Sequence, residues 1–233
     1  MSPPALGEPR VHLRRVDSTN QRARELAVAG APHGTLVTAA EQSAGRGRQG
    51  RSWSAPPGRA LLMSLLLREW PAHLPLAAAV AVAETVGEVA AIKWPNDVVL
   101  FGRKVAGILA EGRPQQGWMI LGIGLNVAVR REDFPPELQE TAATMGLAPS
   151  AVEPTLTRVL DRLGRWLDAP AAATVAAVRA RDALAGREVR YANGSGRARG
   201  IDDRGRLVVV RTDGREEALD AGEVHLAGYS STE

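Results

Sequence analysis

The sequence predicts an α+β chain, with strands and helices over residues 1–185 and a small all-β unit over 186–233. Three observations predict it. Apolar runs of strand length, separated by turn residues, recur between Val11 and Gly124. Two stretches, Thr155–Leu167 and Ala171–Leu184, have the character of helices, the first with Leu156, Val159, Leu160, Leu163 and Leu167 at helical spacing. After Gly186 the pattern changes to short alternating runs broken by Asn193-Gly194, Asp203–Gly205 and Asp213-Gly214. Spacing of that kind indicates a barrel of about five strands over Arg187–Ala227. A boundary is placed near Leu184–Gly186, and the length suits one medium domain followed by a small one.

In chain order, Val11–Val16 alternates as a strand. Ser18 and Gln21 then fit the S-x-x-Q capping box, so Ser18 and Thr19 read first as caps. Ligand contact is the other use of these residues. A helix through Arg22–Ala29 follows and ends at Gly30. Gly34–Ala40 reads as a buried strand and Ala60–Arg68 as a strongly apolar one. Leu74–Val89 is an Ala/Val-rich helix with little polar surface, and so is expected to be well buried. Ala91–Lys93 is a short strand broken by Pro95, which biases Trp94 to an extended conformation. The turn brings Lys93, Asn96 and Asp97 together. Val98–Phe101 and Lys104–Glu111 form a hairpin about Gly102-Arg103. Gly107 lies inside its second strand, where a missing side chain marks close approach of a ligand or another backbone. Trp118–Gly124 is the next strand and runs on to Asn126, with Gly122 and Gly124 spaced along it. Phe134-Pro135-Pro136 links to the helices, and Glu188–Tyr191, Leu207–Arg211 and Glu223–Leu226 are strands of the barrel.

Composition removes several kinds of chemistry. Hydrophobic residues make up 45%, enough for a substantial core. The absence of cysteine excludes disulfides, thiolate metal sites and thiol nucleophiles. His12, His33, His73 and His225 show no metal-ligand spacing. The first ten residues lack the apolar segment of a signal peptide, and no apolar run is suited to span a bilayer. A soluble, cytoplasmic protein is the expectation. The net charge of +3 is modest and does not by itself imply nucleic acid.

Glu41–Trp53 is the most unusual loop. Gly45, Gly47 and Gly50 match G-x-G-x-x-G, but the segment runs into Ser52–Gly58 with two prolines and cannot open a helix. Arg46, Arg48 and Arg51 stud it with no acid after Glu41. Like charges in a mobile loop repel unless an anion visits, so an anion-binding loop is favoured over a solvated one. Lys93 and Lys104 are the only lysines of the chain, and every other basic side chain apart from histidine is arginine. Two lysines in one short stretch imply a place that needs a compact ammonium rather than a planar fork.

Taken together, Asp17-Ser18-Thr19-Asn20, then Gln42-x-x-Gly45-Arg46-Gly47-Arg48-x-Gly50-Arg51-x-Trp53, then Lys93-Trp94-Pro95-Asn96-Asp97, then Arg103-Lys104-x-x-Gly107-Ile108-Leu109-x-Glu111, then Gly122-x-Gly124-x-Asn126 closely resemble biotin protein ligase. The resemblance covers residues 11–127 by motif and the whole chain by architecture. It implies a mixed β-sheet flanked by helices, related to class II aminoacyl-tRNA synthetases, followed by an SH3-like β-barrel. It implies the type without an N-terminal DNA-binding domain, hence no repressor function. The implied activity makes biotinyl-AMP from biotin and ATP with Mg²⁺, then transfers biotin to a lysine of a biotin carboxyl carrier domain of a carboxylase.

Residue by residue, the resemblance gives biotin contacts to Ser18, Thr19, Asn20, Gln42, Gly45, Arg46, Arg48, Lys104 and Gly107. It gives ATP or adenylate contacts to Arg46, Arg48, Arg51, Trp53, Lys93, Asn96, Lys104, Gly124 and Asn126, with Trp53 near the adenine. Catalytic roles fall to Lys104, Arg48, Asp97 and Lys93. Arg48 matches the arginine whose loss lets the reactive intermediate escape in this family. No metal ligand is assigned beyond Mg²⁺ travelling with ATP near Asp97. Gln49 departs from the pattern, standing where many members carry another arginine. No nucleic acid and no membrane are expected as partners, and monomer and homodimer are both open. Two rivals stand beside this reading. A lipoate or octanoate ligase or transferase would share a related fold. A nucleic-acid module would use Arg187, Arg190, Arg197, Arg199, Arg204 and Arg206, although Glu188, Asp202 and Asp203 interrupt that run.

Overall fold

The computed structural model describes residues 6–69, 71–220, 222 and 224–226. Strand β1 is Arg10–Leu13, helix α1 Thr19–Val28, strand β2 Leu36–Ala39 and strand β3 Ala60–Leu67. Helix α2 is Leu74–Val86, followed by strands β4 Ala90–Lys93, β5 Asp97–Leu100, β6 Arg103–Arg113 and β7 Trp118–Asn126. Helices α3 Val152–Leu167 and α4 Ala171–Arg179 come next. Strands β8 Glu188–Tyr191, β9 Gly194–Ile201, β10 Leu207–Arg211, β11 Glu216–Leu219 and β12 Val224–Leu226 complete the described chain.

The first seven strands form one sheet in the order β1-β2-β3-β7-β6-β5-β4. Only β1 and β2 pair in parallel, so the sheet is mixed. Side chains alternate faces along a strand, and β3 shows what each face meets. Leu61, Met63, Leu65 and Leu67 join the main core with α2 and α3. On the other face Leu66 packs with Ala23 and Ala27 of α1, while Ala60 and Leu62 pack with Val129 and Phe134. Between those two small clusters stands Ser64, fully buried. The β5–β6 hairpin turns through Phe101 (φ 49°) and Gly102 (φ 77°). Two successive positive-φ residues match the right-handed twist of the flanking strands.

Several expectations are corrected. Ser18 precedes α1 with extended backbone but makes no side-chain cap. Its N–H takes Asp17 Oδ1 at 2.7 Å, and its side chain is buried. The second C-terminal helix stops at Arg179 rather than Leu184. The chain leaves the helix to lie along the edge of β4, where Ile92 N–H donates to Arg181 O at 2.7 Å and Ala183 N–H to Ile92 O at 2.9 Å. Two backbone bonds to an open sheet edge replace the last helical turn.

The C-terminal strands form an antiparallel sheet in the order β11-β10-β9-β8-β12. Its outer strands do not pair with each other among the described residues, so the expected barrel of about five strands is found there as a five-stranded sheet without closure. Glu223 and Ala227, the ends expected for its last strand and for the barrel, lie outside the described residues. This sheet shares the main core, in which Val189, Ala198, Ile201, Leu207 and Val209 are continuous with α2 and β4. Trp94 Nε1 donates to Gly205 O at 3.0 Å across that contact.

Candidate active site

Three central strands build the floor. Gly122 faces Ser64 of β3 and Leu109 of β6, and Gly124 faces Leu62 and Gly107. Gly107, Gly122 and Gly124 therefore clear side chains from one patch of the sheet, between the two small clusters described above. What fills the cleared space is specific. A Cβ on Gly122 would stand 2.2 Å from Asn20 Oδ1, and one on Gly124 would stand 2.5 Å from Trp53 Cε2. At Gly107 it would meet Lys104 Cε at 3.2 Å and Trp53 Cζ3 at 3.3 Å. The glycines bring one polar side chain and one indole down onto the sheet.

The start of α1 forms one wall. Thr19 donates from its backbone N–H and from its hydroxyl to Gln42 Oε1, at 2.7 Å and 3.0 Å. Ser64 Oγ lies 2.8 Å from Thr19 Oγ and 2.5 Å from Asn20 Oδ1. Asn20 Nδ2 donates to Glu111 Oε2 at 2.8 Å, and Arg24 pairs with the other oxygen at 3.1 Å. The opposite wall is charged. Lys104 Nζ is 2.7 Å from Asp97 Oδ1 and 5.8 Å from the Trp53 ring centroid. Lys104 is fixed through its backbone, its N–H bonded to Thr141 O and its carbonyl accepting from Ala143 N–H, both at 2.7 Å. Arg48 Nη1 donates to Asn96 Oδ1 at 2.8 Å, tying the arginine loop to the β4–β5 turn. Asn96 Nδ2 donates in turn to Ile108 O at 3.1 Å.

The cations act on one another. Burial pushes the Lys93 ammonium down from the usual 10.5, Asp97 opposes the shift, and Lys104 and Arg51 add to it. Burial also lowers Arg48, against the pull of Asp97. His225 on β12 is pushed down by burial, then by Lys93, Arg51 and Arg190. The C-terminal sheet thus brings its histidine within electrostatic range of Lys93 and Arg51. A polyanion entering here would relieve a repulsion that the fold holds in place.

Comparison with known proteins decides the family. The Biotin/lipoate A/B protein ligase family matches residues 12–127, and the Biotin protein ligase C terminal domain matches residues 178–226. The biotin--[acetyl-CoA-carboxylase] ligase of Mycobacterium tuberculosis (strain ATCC 25618 / H37Rv) is 36% identical over 238 residues, covering 91% of this chain and 86% of that one. The chain belongs to the biotin protein ligase family. The bifunctional ligase/repressor BirA of Bacillus subtilis (strain 168) is 40% identical over 155 residues, 61% of this chain and 48% of its own length. This chain thus spans about half the length of that relative. A biotin protein ligase from Aquifex aeolicus, solved in complex with biotin and ATP, superposes with a TM-score of 0.80 at 28% identity, covering 94% of this chain and 98% of the other.

Most of the residues expected of a biotin protein ligase meet in one cavity. Ser18, Thr19, Asn20, Gln42, Arg46, Arg48, Trp53, Asn96, Lys104, Gly107 and Gly124 line it. Asp97 stands behind Lys104 as its partner. Gly45 shapes the loop instead of the lining: its carbonyl accepts Trp53 N–H at 2.9 Å, and a Cβ there would stand 2.3 Å from Trp53 O. Arg51 lines a second, open cavity shared with Arg46, Arg48 and Glu111. Lys93 does not line the first cavity, and Asn126 is buried, its Nδ2 donating to Ala143 O at 2.9 Å. Its Oδ1 has no hydrogen-bond partner. Ser64, Met63 and the Glu111–Arg24 pair were not assigned from sequence. Ser64 carried a signal, being the one polar residue inside the apolar run Ala60–Leu67.

Proposed function

We propose that the chain condenses biotin with ATP to biotinyl-AMP and pyrophosphate, then transfers the biotinyl group to a lysine amine on a biotin carboxyl carrier domain of a carboxylase, releasing AMP. The observation that carries this reading is the polarity of the cavity from end to end. At the α1 end, Thr19 turns its hydroxyl proton into the wall, toward Gln42 Oε1 and Ser64 Oγ. That leaves Thr19 Oγ as an acceptor toward the cavity and Gln42 Nε2 as a donor. An acceptor beside a donor complements the N–H and C=O of a cyclic urea, the head group of biotin. A dithiolane has nothing to match it, so the lipoate rival is disfavoured. At the other end Lys104 and Arg48 suit a carboxylate brought beside a triphosphate.

The chemistry needs no protein nucleophile. The biotin carboxylate attacks the α-phosphorus and pyrophosphate leaves. Lys104 and Arg48 offset the charge that gathers, and Lys93, outside the cavity lining, is assigned to the phosphates on the resemblance alone. In the second step a neutral amine attacks the acyl carbon and AMP departs. Asp97 accepts from the incoming amine and helps remove its proton. Mg²⁺ entering with ATP would supply positive charge to the phosphates, and one or two carboxylates would suffice to hold it. No group of three or more His, Asp and Glu that could hold a metal ion occurs among the described residues. Asp97 is the carboxylate that would stand beside such an ion. Trp53 packs against adenine, and the loop from Gly45 to Arg51 closes over the adenylate, supported by the Arg48–Asn96 bond.

The C-terminal sheet is read as an SH3-like unit on the resemblance and the matched C-terminal domain, with 1–185 and 186–233 as the two parts. Arg197 pairs with Glu188, Arg199 with Glu216 and Arg206 with Asp202, which supports a solvated face over a nucleic-acid surface. No described helix is long and apolar enough to cross a membrane, and ATP with a carboxylase carrier as substrates supports a cytoplasmic reaction. The test is the purified chain with ATP, Mg²⁺, biotin and a carrier domain, probed for covalent biotin, with lipoate in parallel. Transfer of lipoate but not biotin would overturn the reading.

A further inference from the structure

Behind the α1 wall runs a chain of polar groups with a fixed direction. Glu111 can only accept, so it turns the Asn20 amide to present Nδ2, at 2.8 Å. Asn20 Oδ1 then faces Ser64 Oγ at 2.5 Å and can only accept from it. Ser64 is within donating distance of both Asn20 Oδ1, at 2.5 Å, and Thr19 Oγ, at 2.8 Å; its one proton goes to the nearer, acceptor-only amide oxygen, so it meets Thr19 Oγ with a lone pair. The Thr19 proton is left two acceptors, Ser64 Oγ and Gln42 Oε1, both inside the wall. Arg24 anchors the far end by holding Glu111 Oε1 at 3.1 Å. Ser64 is fully buried, which removes water as its competing partner. Gly122 leaves the space Asn20 occupies.

We propose that Ser64 and Glu111 are positioning residues for biotin recognition: acting through Asn20, with Arg24 as anchor, they set the polarity of the hydrogen-bond chain so that Thr19 presents only an acceptor to a ligand N–H. The inference rests on the biotin reading above and adds residues that do not touch the substrate. Ser64→Ala removes both the donor to Asn20 and one of the two inward acceptors for Thr19. Glu111→Gln keeps an acceptor for Asn20 but removes the charge that Arg24 holds.

Steady-state adenylate formation is measured for the parent and both variants, with biotin and with a biotin analogue methylated on its ureido nitrogens. In Ser64→Ala the KM for biotin is expected to rise about tenfold, the effect of one ligand hydrogen bond. The KM for ATP is expected to stay within about twofold, and the preference for biotin over the methylated analogue to fall by about tenfold. Glu111→Gln, more exposed and less prone to misfold, is expected to move the same quantities by about threefold. If biotin KM and the preference stay within about twofold in both variants, or if biotin and ATP KM rise together, the positioning role is overturned. If the parent itself forms no adenylate from biotin, the function proposed above has failed, and this inference with it.

Discussion

Gly124 shows how a missing side chain can be a functional requirement. Its strand conformation is open to any residue, and it is the Trp53 indole that needs the space, since a Cβ would stand 2.5 Å from Cε2. Gly124→Ala is therefore expected to lift Trp53 off the floor, raising the KM for ATP about tenfold while costing about 1–3 kcal/mol of stability from overpacking. Thermal melts alongside ATP kinetics check it, and a normal ATP KM would remove Trp53 from the nucleotide site. Lys93 gives a second expectation. Its ammonium titrates below the usual 10.5 because it is buried. Adenylate formation should then fall as pH rises through that lowered value, earlier than a free lysine would allow. Lys93→Arg, which keeps its charge, should remove this alkaline limb from the pH–rate profile. The linked stability change has the opposite sign: the unfolded chain binds the proton more tightly, so the cost of the buried charge fades as pH rises through the same window. At this scale the sequence was legible wherever a residue type had one use, as with Lys104, Arg46 and Arg48, which line the cavity. It was least legible where one residue type has two uses. Ser18 offered a cap or a cavity wall, and capping is the commoner role.

Among the elements, β3 and β6 were readable because buried strands carry continuous or alternating apolar runs. Helix α4 was read too long because the residues after Arg179 remain compatible with helix until the edge of β4 claims their backbone. Nothing local in a sequence announces a long-range strand bridge. Similarly, five short strands spaced by turns indicated a barrel, yet spacing does not say whether the outer two meet. One tie between elements can be tested by pH. Arg10 of β1 clasps Glu153 of α3 with both terminal guanidinium nitrogens and holds its carboxyl below the usual 4.5, chiefly through that hydrogen bonding. Because Glu153 is exposed, Glu153→Gln should cost no more than about 1 kcal/mol at pH 7. A depressed carboxylate contributes above its unfolded pKa and loses that contribution as pH falls through its folded value. Denaturant titrations of parent and variant should therefore differ at pH 7 and converge in acid below that lowered value. A difference that grows in acid would contradict the assignment.

Across the whole molecule, the main core passes without a break from the central sheet through α2 into the C-terminal sheet. Gly205 sits at that contact with φ 75°, and a Cβ there would come within 3.0 Å of His73 and Leu76. A shared core predicts shared unfolding. Thermal denaturation followed by tryptophan fluorescence and by far-ultraviolet circular dichroism should give one coincident transition. Trp94→Phe, which leaves the Gly205 carbonyl without its donor, should lower stability by about 1–3 kcal/mol. Two separated transitions would mean that the C-terminal sheet melts by itself.

The placement of the two lysines has a further consequence. Lys93 is largely enclosed, and Lys104 is gripped by Asp97 at 2.7 Å. An activated acyl ester made in this cleft would therefore find no lysine ready to attack it on its maker's own surface. Incubated with ATP and biotin but no acceptor, the protein should stay free of biotinyl-lysine by mass spectrometry. Labelling of either residue in high yield would show that the enzyme is exposed to its own electrophile.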